Sequence, residues 1–462
     1  MLEKSFIYRR SAVQKHMEKN LTSGSVFKNI ICFSLPYLLS YFLQTLYGMA
    51  DLFIIGQFNS VDSITAVSVG SQVMHMLTVM IVGLAMGSTV MIGQAVGARQ
   101  SERASETIGN TVTLFVALSA VVTVLLLLLV DPIVAVMSTP AEAVAGTTAY
   151  LTICFLGIPF ITAYNMISSI FRGLGDSKSP MYFIAVACAA NIALDYLFIG
   201  VLSMGPAGAA LGTTIAQTIS VVTVLTVILR KKTGLTLQKS NFRPKRPVLG
   251  QILQIGVPVA LQDGFIQISF IVITIIANRR GLNDAAAVGI VEKIIGVLFL
   301  VPSSMLSAVS ALSAQNIGAG RRDRAALTLR YAVFLAAGFG IIAAVAVQFW
   351  AEPIVGLFTS EKAPEVILLG SQYIRGYIFD CIFAGIHFCF SGYFCACGRS
   401  GLSFLHNVVS IVFARIPGAY FTSTHFADTL FPMGLAVAGG SVVSVVVCII
   451  AYAWLRRREA EA

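Results

Sequence analysis

The run from Val112 to Val130 holds no charged side chain, no glycine and no proline. As one helix it can span a hydrocarbon layer of about 30 Å, which takes roughly 20 residues. Ile215–Leu229 and the Ala/Gly-rich Phe334–Val347 are likewise uncharged. With 57% of residues hydrophobic and 11% charged, against about 25% charged in a soluble domain, the chain cannot cover itself with polar surface. Lipid is the expected solvent, and helices are the expected elements, because they satisfy their own backbone groups there.

Hydropathy predicts twelve spans, at 29–56, 63–97, 105–130, 141–172, 179–202, 207–229, 248–277, 285–317, 325–351, 363–397, 402–425 and 433–455. The fold expected is an all-α integral membrane protein whose twelve helices form two pseudo-symmetric six-helix bundles. Residues 1–28 carry Lys4, Arg9, Arg10, Lys15, Lys19 and Lys28 without an apolar core and cleavage site, so they read as a tail rather than a signal peptide. The net charge of +10 does not gather on one face as a polyanion-binding surface would require. With Arg172 and Arg330, near span ends, counted in the loops they border, all Lys and Arg except Arg279, Arg280 and Lys362 fall on one side of the alternating topology, apart from Lys293, Arg375 and Arg415 inside spans. The positive-inside rule then puts both termini in the cytoplasm of a plasma-membrane protein, with no nucleic-acid partner.

The chain also matches itself. Asp131-Pro132-Ile133-Val134 returns as Glu352-Pro353-Ile354-Val355, and GQAVGARQSERA at 93–104 returns as AQNIGAGRRDRA at 314–325, both displaced by 221. Pro36 matches Pro258, Tyr150 matches Tyr373, and Pro206-x-Gly208-x-Ala210 matches Pro432-x-Gly434-x-Ala436. These matches divide the chain into a cytoplasmic tail 1–28, a six-helix lobe 29–229, a basic cytoplasmic linker 230–247, a second lobe 248–455 and a tail 456–462. Six spans per lobe is an even number, so the repeats are parallel, a plan found in transporters that rock one half against the other. Pro36 and Pro258 are expected to bend the opening helices of the two lobes.

A carboxylate at membrane depth is costly unless it is protonated, paired or bound to a cation. Asp51 lies in YGMADLFIIG at 47–56 and Asp195 in NIALDYLFIG at 191–200, both with uncharged flanks. Asn191 shares a helix face with Asp195, and Thr213 follows on the sixth span. Two carboxylates, an amide oxygen and a hydroxyl form a hard-oxygen set suited to an alkali cation, with protonation as the alternative. In the second half Asp263, Asp380 and Glu292 have Lys293, Arg375 and Arg415 at similar depth, so ion pairing is expected there, with Asp263 and Asp380 kept as a possible second site.

Enzyme motifs are missing. His75, His387, His406 and His425 are scattered, and the sequence has no HExxH, GxSxG or GxxxxGK[ST] pattern, so neither catalysis nor ATP hydrolysis is expected. The eight cysteines suggest neither a metal site nor a disulfide framework. Met74, Met76, Met80, Phe155, Phe160, Tyr164, Met166 and Phe265 offer an adaptable lining for organic molecules.

MADLFIIGQF at 49–58, GQAVGA at 93–98, FRGLGDSKSP at 171–180, NIALDYLFIG at 191–200 and GPAGAALGTTIAQ at 205–217 together resemble the multidrug and toxic compound extrusion (MATE) family over nearly the whole chain. The resemblance implies two bundles around a cavity and export of cationic amphipathic compounds in exchange for Na+ or H+, with no other cofactor and a monomeric state. Its DinF-like branch implies a coupling site at Asp51, Asn191, Asp195 and Thr213, with Tyr150 beside them. The NorM-type branch points to acids on the helices that carry Asp263 and Asp380, at somewhat different spacing. A flippase for a lipid-linked precursor, known in the same superfamily, is the alternative.

Overall fold

The computed structural model describes residues 21–230, 237–358 and 363–461. Most of the 1–28 tail, the 231–236 part of the linker, Lys362 and the last residue of the 456–462 tail lie outside the described residues. The helices of the first half are α1 (Val26–Phe58), α2 (Val61–Gly97), α3 (Ser101–Leu128), α4 (Val130–Val136), α5 (Ala141–Leu156), α6 (Ile158–Gly173), α7 (Lys178–Asp195) and α8 (Gly205–Arg230). Those of the second half are α9 (Arg246–Asn278), α10 (Leu282–Leu298), α11 (Leu300–Gly318), α12 (Arg322–Gly356), α13 (Pro364–Tyr377), α14 (Asp380–Ala396), α15 (Ser400–Ser410), α16 (Ile416–His425) and α17 (Phe431–Glu461).

Among the described residues, ten helical segments are long and apolar enough to cross a membrane, and two bent pairs bring the total to twelve. The bent pairs occupy matching places in the repeat. α5 and α6 meet at 49° around Gly157, and α13 and α14 at 40° around Ile378 and Phe379. Gly157 has Pro159 two residues on, a ring that cannot donate to the preceding turn. A second shared irregularity is a π-helical stretch, Tyr196–Val201 after α7 and Ile411–Arg415 after α15. Its i→i+5 bonding widens the helix and re-aims the side chains beside it.

The chain clusters into two compact units whose boundaries lie beside Pro36 and Pro258. One takes in Leu35–Gly256; the other joins Ser23–Ser34 to Val257–Ala462. The opening turns of α1 therefore belong with the second half and those of α9 with the first, a refinement of the expected boundaries 29–229 and 248–455. Local bonds explain it. In the second unit, Arg324 Nη2 donates to the carbonyls of Ser23 and Gly24 at 3.1 and 2.9 Å. In the first, residues ahead of α9 dock on α3: the Lys245 amide donates to Asn110 Oδ1 at 2.7 Å, Thr113 Oγ1 to the Phe242 carbonyl at 2.7 Å, and Lys245 pairs with Glu106 at 2.9 Å. Pro36 and Pro258 themselves lie inside continuous helices.

Candidate functional site

Three helices of the first unit bring four polar side chains to one place in an apolar bundle. Asp51 comes from α1, Asn191 and Asp195 from successive turns at the end of α7, and Thr213 from α8. Asp51, Asn191 and Asp195 are 3%, 1% and 0% exposed. Thr213 Oγ1 donates to Asp51 Oδ2 at 3.1 Å and accepts from Asn191 Nδ2 at 3.4 Å. The carboxyls of Asp51 and Asp195 lie within electrostatic reach of each other. What remains is an excess of acceptors: Asp51 Oδ1, Asn191 Oδ1 and both oxygens of Asp195 have no donor among the described residues. A buried polar atom left unpaired costs about 1–3 kcal/mol, and more when charged.

A cleft beside these residues is lined by Tyr47, Asn191, Thr213 and Gln217. Sequence reasoning missed Tyr47 and Gln217, although each is four residues from a site residue on its own helix: Tyr47 before Asp51, Gln217 after Thr213. That spacing puts each pair on one face. Tyr150 is buried in the surrounding apolar cluster with Ile54, Ile55, Val67 and Leu151, within electrostatic reach of Asp51. No hydrogen bond joins it to the four polar residues among the described residues. Met74, Phe155, Tyr164 and Met166 are also buried in apolar clusters, so half of the residues expected to form an adaptable lining are core, where large apolar side chains gain most by packing.

Gly212, one residue before Thr213, is what lets α7 and α8 close on each other. A Cβ there would stand 2.1 Å from Asp195 Oδ1. Gly212→Ala must therefore displace the carboxylate. An overpacking cost of about 1–3 kcal/mol is expected to appear as a lowered melting midpoint of the purified protein. A midpoint equal to that of the wild type would refute this account of Gly212.

No ion pair reaches Asp51 or Asp195 among the described residues. One expectation needs correction, since the first lobe's spans are not free of cations: Arg172, in the last turn of α6, is buried with its guanidinium 5.6 Å from the Tyr37 ring centroid. Tyr37 precedes Asp51 by fourteen residues on α1, about 21 Å at 1.5 Å per residue, so Arg172 does not neutralise the cluster.

The second unit differs. Asp380 starts α14 just past the helix break, and its Oδ2 is 3.4 Å from Arg415 Nη1. Arg415 Nη2 donates to the Tyr377 hydroxyl at 2.6 Å. Glu292 accepts from Thr274 at 3.0 Å and lies within electrostatic reach of Arg415, whereas Lys293 is exposed. Half-buried Asp263 lies between Gln262 and Phe265, which touch Ser403 and Phe404 just beyond the far end of α14, and that end is about 24 Å along the helix from Asp380. The structure thus does not bring Asp263 and Asp380 into one site, because they face opposite ends of the same helix.

The MatE family model matches residues 36–197 and 258–421, both halves of the duplication. The chain belongs to the MatE family. Among its MatE relatives, the probable multidrug resistance protein YoeA of Bacillus subtilis is 31% identical over 346 residues, 73% of this chain and 74% of YoeA. The probable multidrug resistance protein YpnP of the same organism is 29% identical over 398 residues, covering 86% and 88%. The MatE fold recurs in the crystal structure of a MATE protein in complex with MaL6, at a TM-score of 0.88 and 22% identity over 96% of this chain and 98% of that one. A MOP superfamily transporter from Pyrococcus furiosus superposes at 0.87, again with 22% identity, covering 95% and 97%. This MatE protein is therefore a multi-span, membrane-embedded transporter.

Proposed function

We propose that this protein is a secondary multidrug efflux antiporter that exports cationic amphipathic organic compounds in exchange for Na+ or H+, using the arrangement of the DinF-like branch. The observation that carries the reading is the acceptor-rich, base-free cluster of Asp51, Asn191, Asp195 and Thr213. Two facing carboxylates without a cation repel each other, so the cluster favours either a bound Na+ or a shared proton. Neutralisation relieves the repulsion and draws α1, α7 and α8 together; loss of the ion loosens them. An ion gradient thereby acts on helix packing in this lobe. The names of YoeA and YpnP support multidrug substrates, and the negative cluster favours cations over the phosphate-bearing precursor of a flippase. The protein acts as a monomer in the lipid bilayer, with no cofactor beyond the coupling ion.

Purified protein in vesicles is expected to move a cationic dye only when a Na+ or H+ gradient is imposed, and comparing the two gradients identifies the ion. Dye movement indifferent to both gradients would remove the antiport reading. The same protein is proposed to lie in the plasma membrane with both termini and the linker in the cytoplasm. A cysteine introduced at Ser60 is then labelled from outside intact cells and one at Ser240 is not; the reverse pattern would overturn the topology.

A further inference from the structure

Matching spans of the two lobes carry opposite charges, set three to six residues out of register by the displacements of 223 and 226 that relate Tyr150 to Tyr373 and Pro206 to Pro432. In the first lobe Asp195 ends α7 at the edge of the π-helical stretch Tyr196–Val201, and its carboxylate lies against Gly212 of the next helix. In the second lobe Arg415 ends the π-helical stretch Ile411–Arg415, and a Cβ on Gly440 of the next helix would stand 2.7 Å from its Cβ. Tyr150 and Tyr373, matched by the sequence repeat, are both buried nearby. Asp195 faces a second acid, Asp51, with no cation; Arg415 has Asp380 at 3.4 Å and Glu292 within electrostatic reach.

We propose that Arg415 is a tethered counter-cation, doing for the acids of the second lobe what the exchanged ion does for those of the first, so that this lobe stays neutralised and contributes no ion to the exchange. The inference rests on the reading of the first-lobe cluster as the coupling site. A guanidinium keeps its proton at any physiological pH, and a side chain cannot diffuse away, so the Asp380–Arg415 pair cannot cycle as Na+ or H+ does. Arg415 is held on several sides: Asp380 at one nitrogen, the Tyr377 hydroxyl at another, and the Phe270 ring 5.2 Å from the guanidinium carbon. Planar, weakly hydrated guanidinium suits a buried place beside a carboxylate and an aromatic face better than a lysine ammonium does. The remaining neighbours fit a place designed around charge. A pocket bordered by Asp380, His387, Asn407, Ser410 and Arg415 adjoins the pair, and Asp380 Oδ1 and Arg415 Nε have no hydrogen-bond partner among the described residues.

If a cation is what the place requires, a free one can replace the tethered one. In purified full-length protein, Arg415→Ala is expected to lower the melting midpoint. Low millimolar guanidinium chloride, far below the molar range in which it denatures, then raises it saturably by several degrees, more than NaCl at equal ionic strength. The wild type shows no such rise, and adding Asp380→Asn to Arg415→Ala abolishes it. An Arg415→Ala protein indifferent to guanidinium, or a response that survives Asp380→Asn, overturns the proposal. Should Arg415→Ala not fold, the neutral pair Asp380→Asn/Arg415→Gln decides. It is expected to retain gradient-driven dye exchange with the wild-type number of ions per dye; a folded pair with a changed ratio or no gradient drive means that the second lobe does cycle. Failure of the first-lobe reading shows separately, as gradient-driven transport that persists in Asp51→Asn, whereas the guanidinium response reports on the second lobe alone.

Discussion

Asp51→Asn is expected to abolish ion-driven export without unfolding the protein. The amide keeps the size of the carboxyl and an oxygen for the Thr213 hydroxyl, and its nitrogen can donate to the unpartnered oxygens of Asp195. The substitution therefore replaces a repulsive contact by a hydrogen bond, and the melting midpoint is expected to stay level or rise, because no buried partner is left unpaired. The site no longer carries two charges for an ion to neutralise. Coupling free energies of about 1–3 kcal/mol correspond to roughly 5–150-fold effects, and removing one of two ligand carboxylates places the loss of gradient-driven dye exchange near the upper end, about 100-fold. Binding of dye to the purified variant stays near the wild-type value. Asp195→Asn acts alike. A folded Asp51→Asn protein with wild-type exchange under an imposed gradient would move the coupling site out of the first lobe.

Much of this cluster was legible in the sequence because membrane depth makes an isolated carboxylate conspicuous. Asp51 and Asp195 stood out by their uncharged flanks, and the four-residue spacing of Asn191 and Asp195 put them on one face. The contact between α1, α7 and α8 that joins them to Thr213 depends on long-range packing, which residue spacing does not reveal, and came from family resemblance. Gly212 shows the limit well: its GxxxG partner Gly208 signals close packing, yet nothing in the pattern says that the neighbour is a carboxylate. Tyr47 and Gln217 carried a readable four-residue signal that went unused. The helix break at Gly157 has a glycine and a following proline to mark it, whereas the matching break at Ile378 and Phe379 has neither and is legible only through the repeat. Arg172 was misplaced because a charge at the end of a span reads as loop, although Tyr37 covers it in the folded lobe.

The second lobe is expected to answer the same chemical change in the opposite way. Asp380→Asn removes the charge opposite a guanidinium that is itself 8% exposed, and Arg415 cannot shed its proton to escape the cost. Breaking a buried pair by removing one partner costs about 3–5 kcal/mol, a large fraction of the 5–15 kcal/mol that holds a typical domain together. Among the described residues Glu292 makes no direct ion pair with Arg415 and so replaces only part of the lost attraction, and the Tyr377 hydroxyl carries no charge to balance it. The variant is expected to show a clear drop in melting midpoint and in the yield of monodisperse protein, and whatever folded fraction survives should still exchange dye under a gradient. The contrast with Asp51→Asn is the informative result. Identical Asp-to-Asn changes in repeated lobes separate coupling from stability only if one carboxylate lacks a cation and the other has one built in. An Asp380→Asn protein that melts with the wild type would mean that the 3.4 Å contact with Arg415 contributes no net stability and that the second lobe's charge is balanced elsewhere.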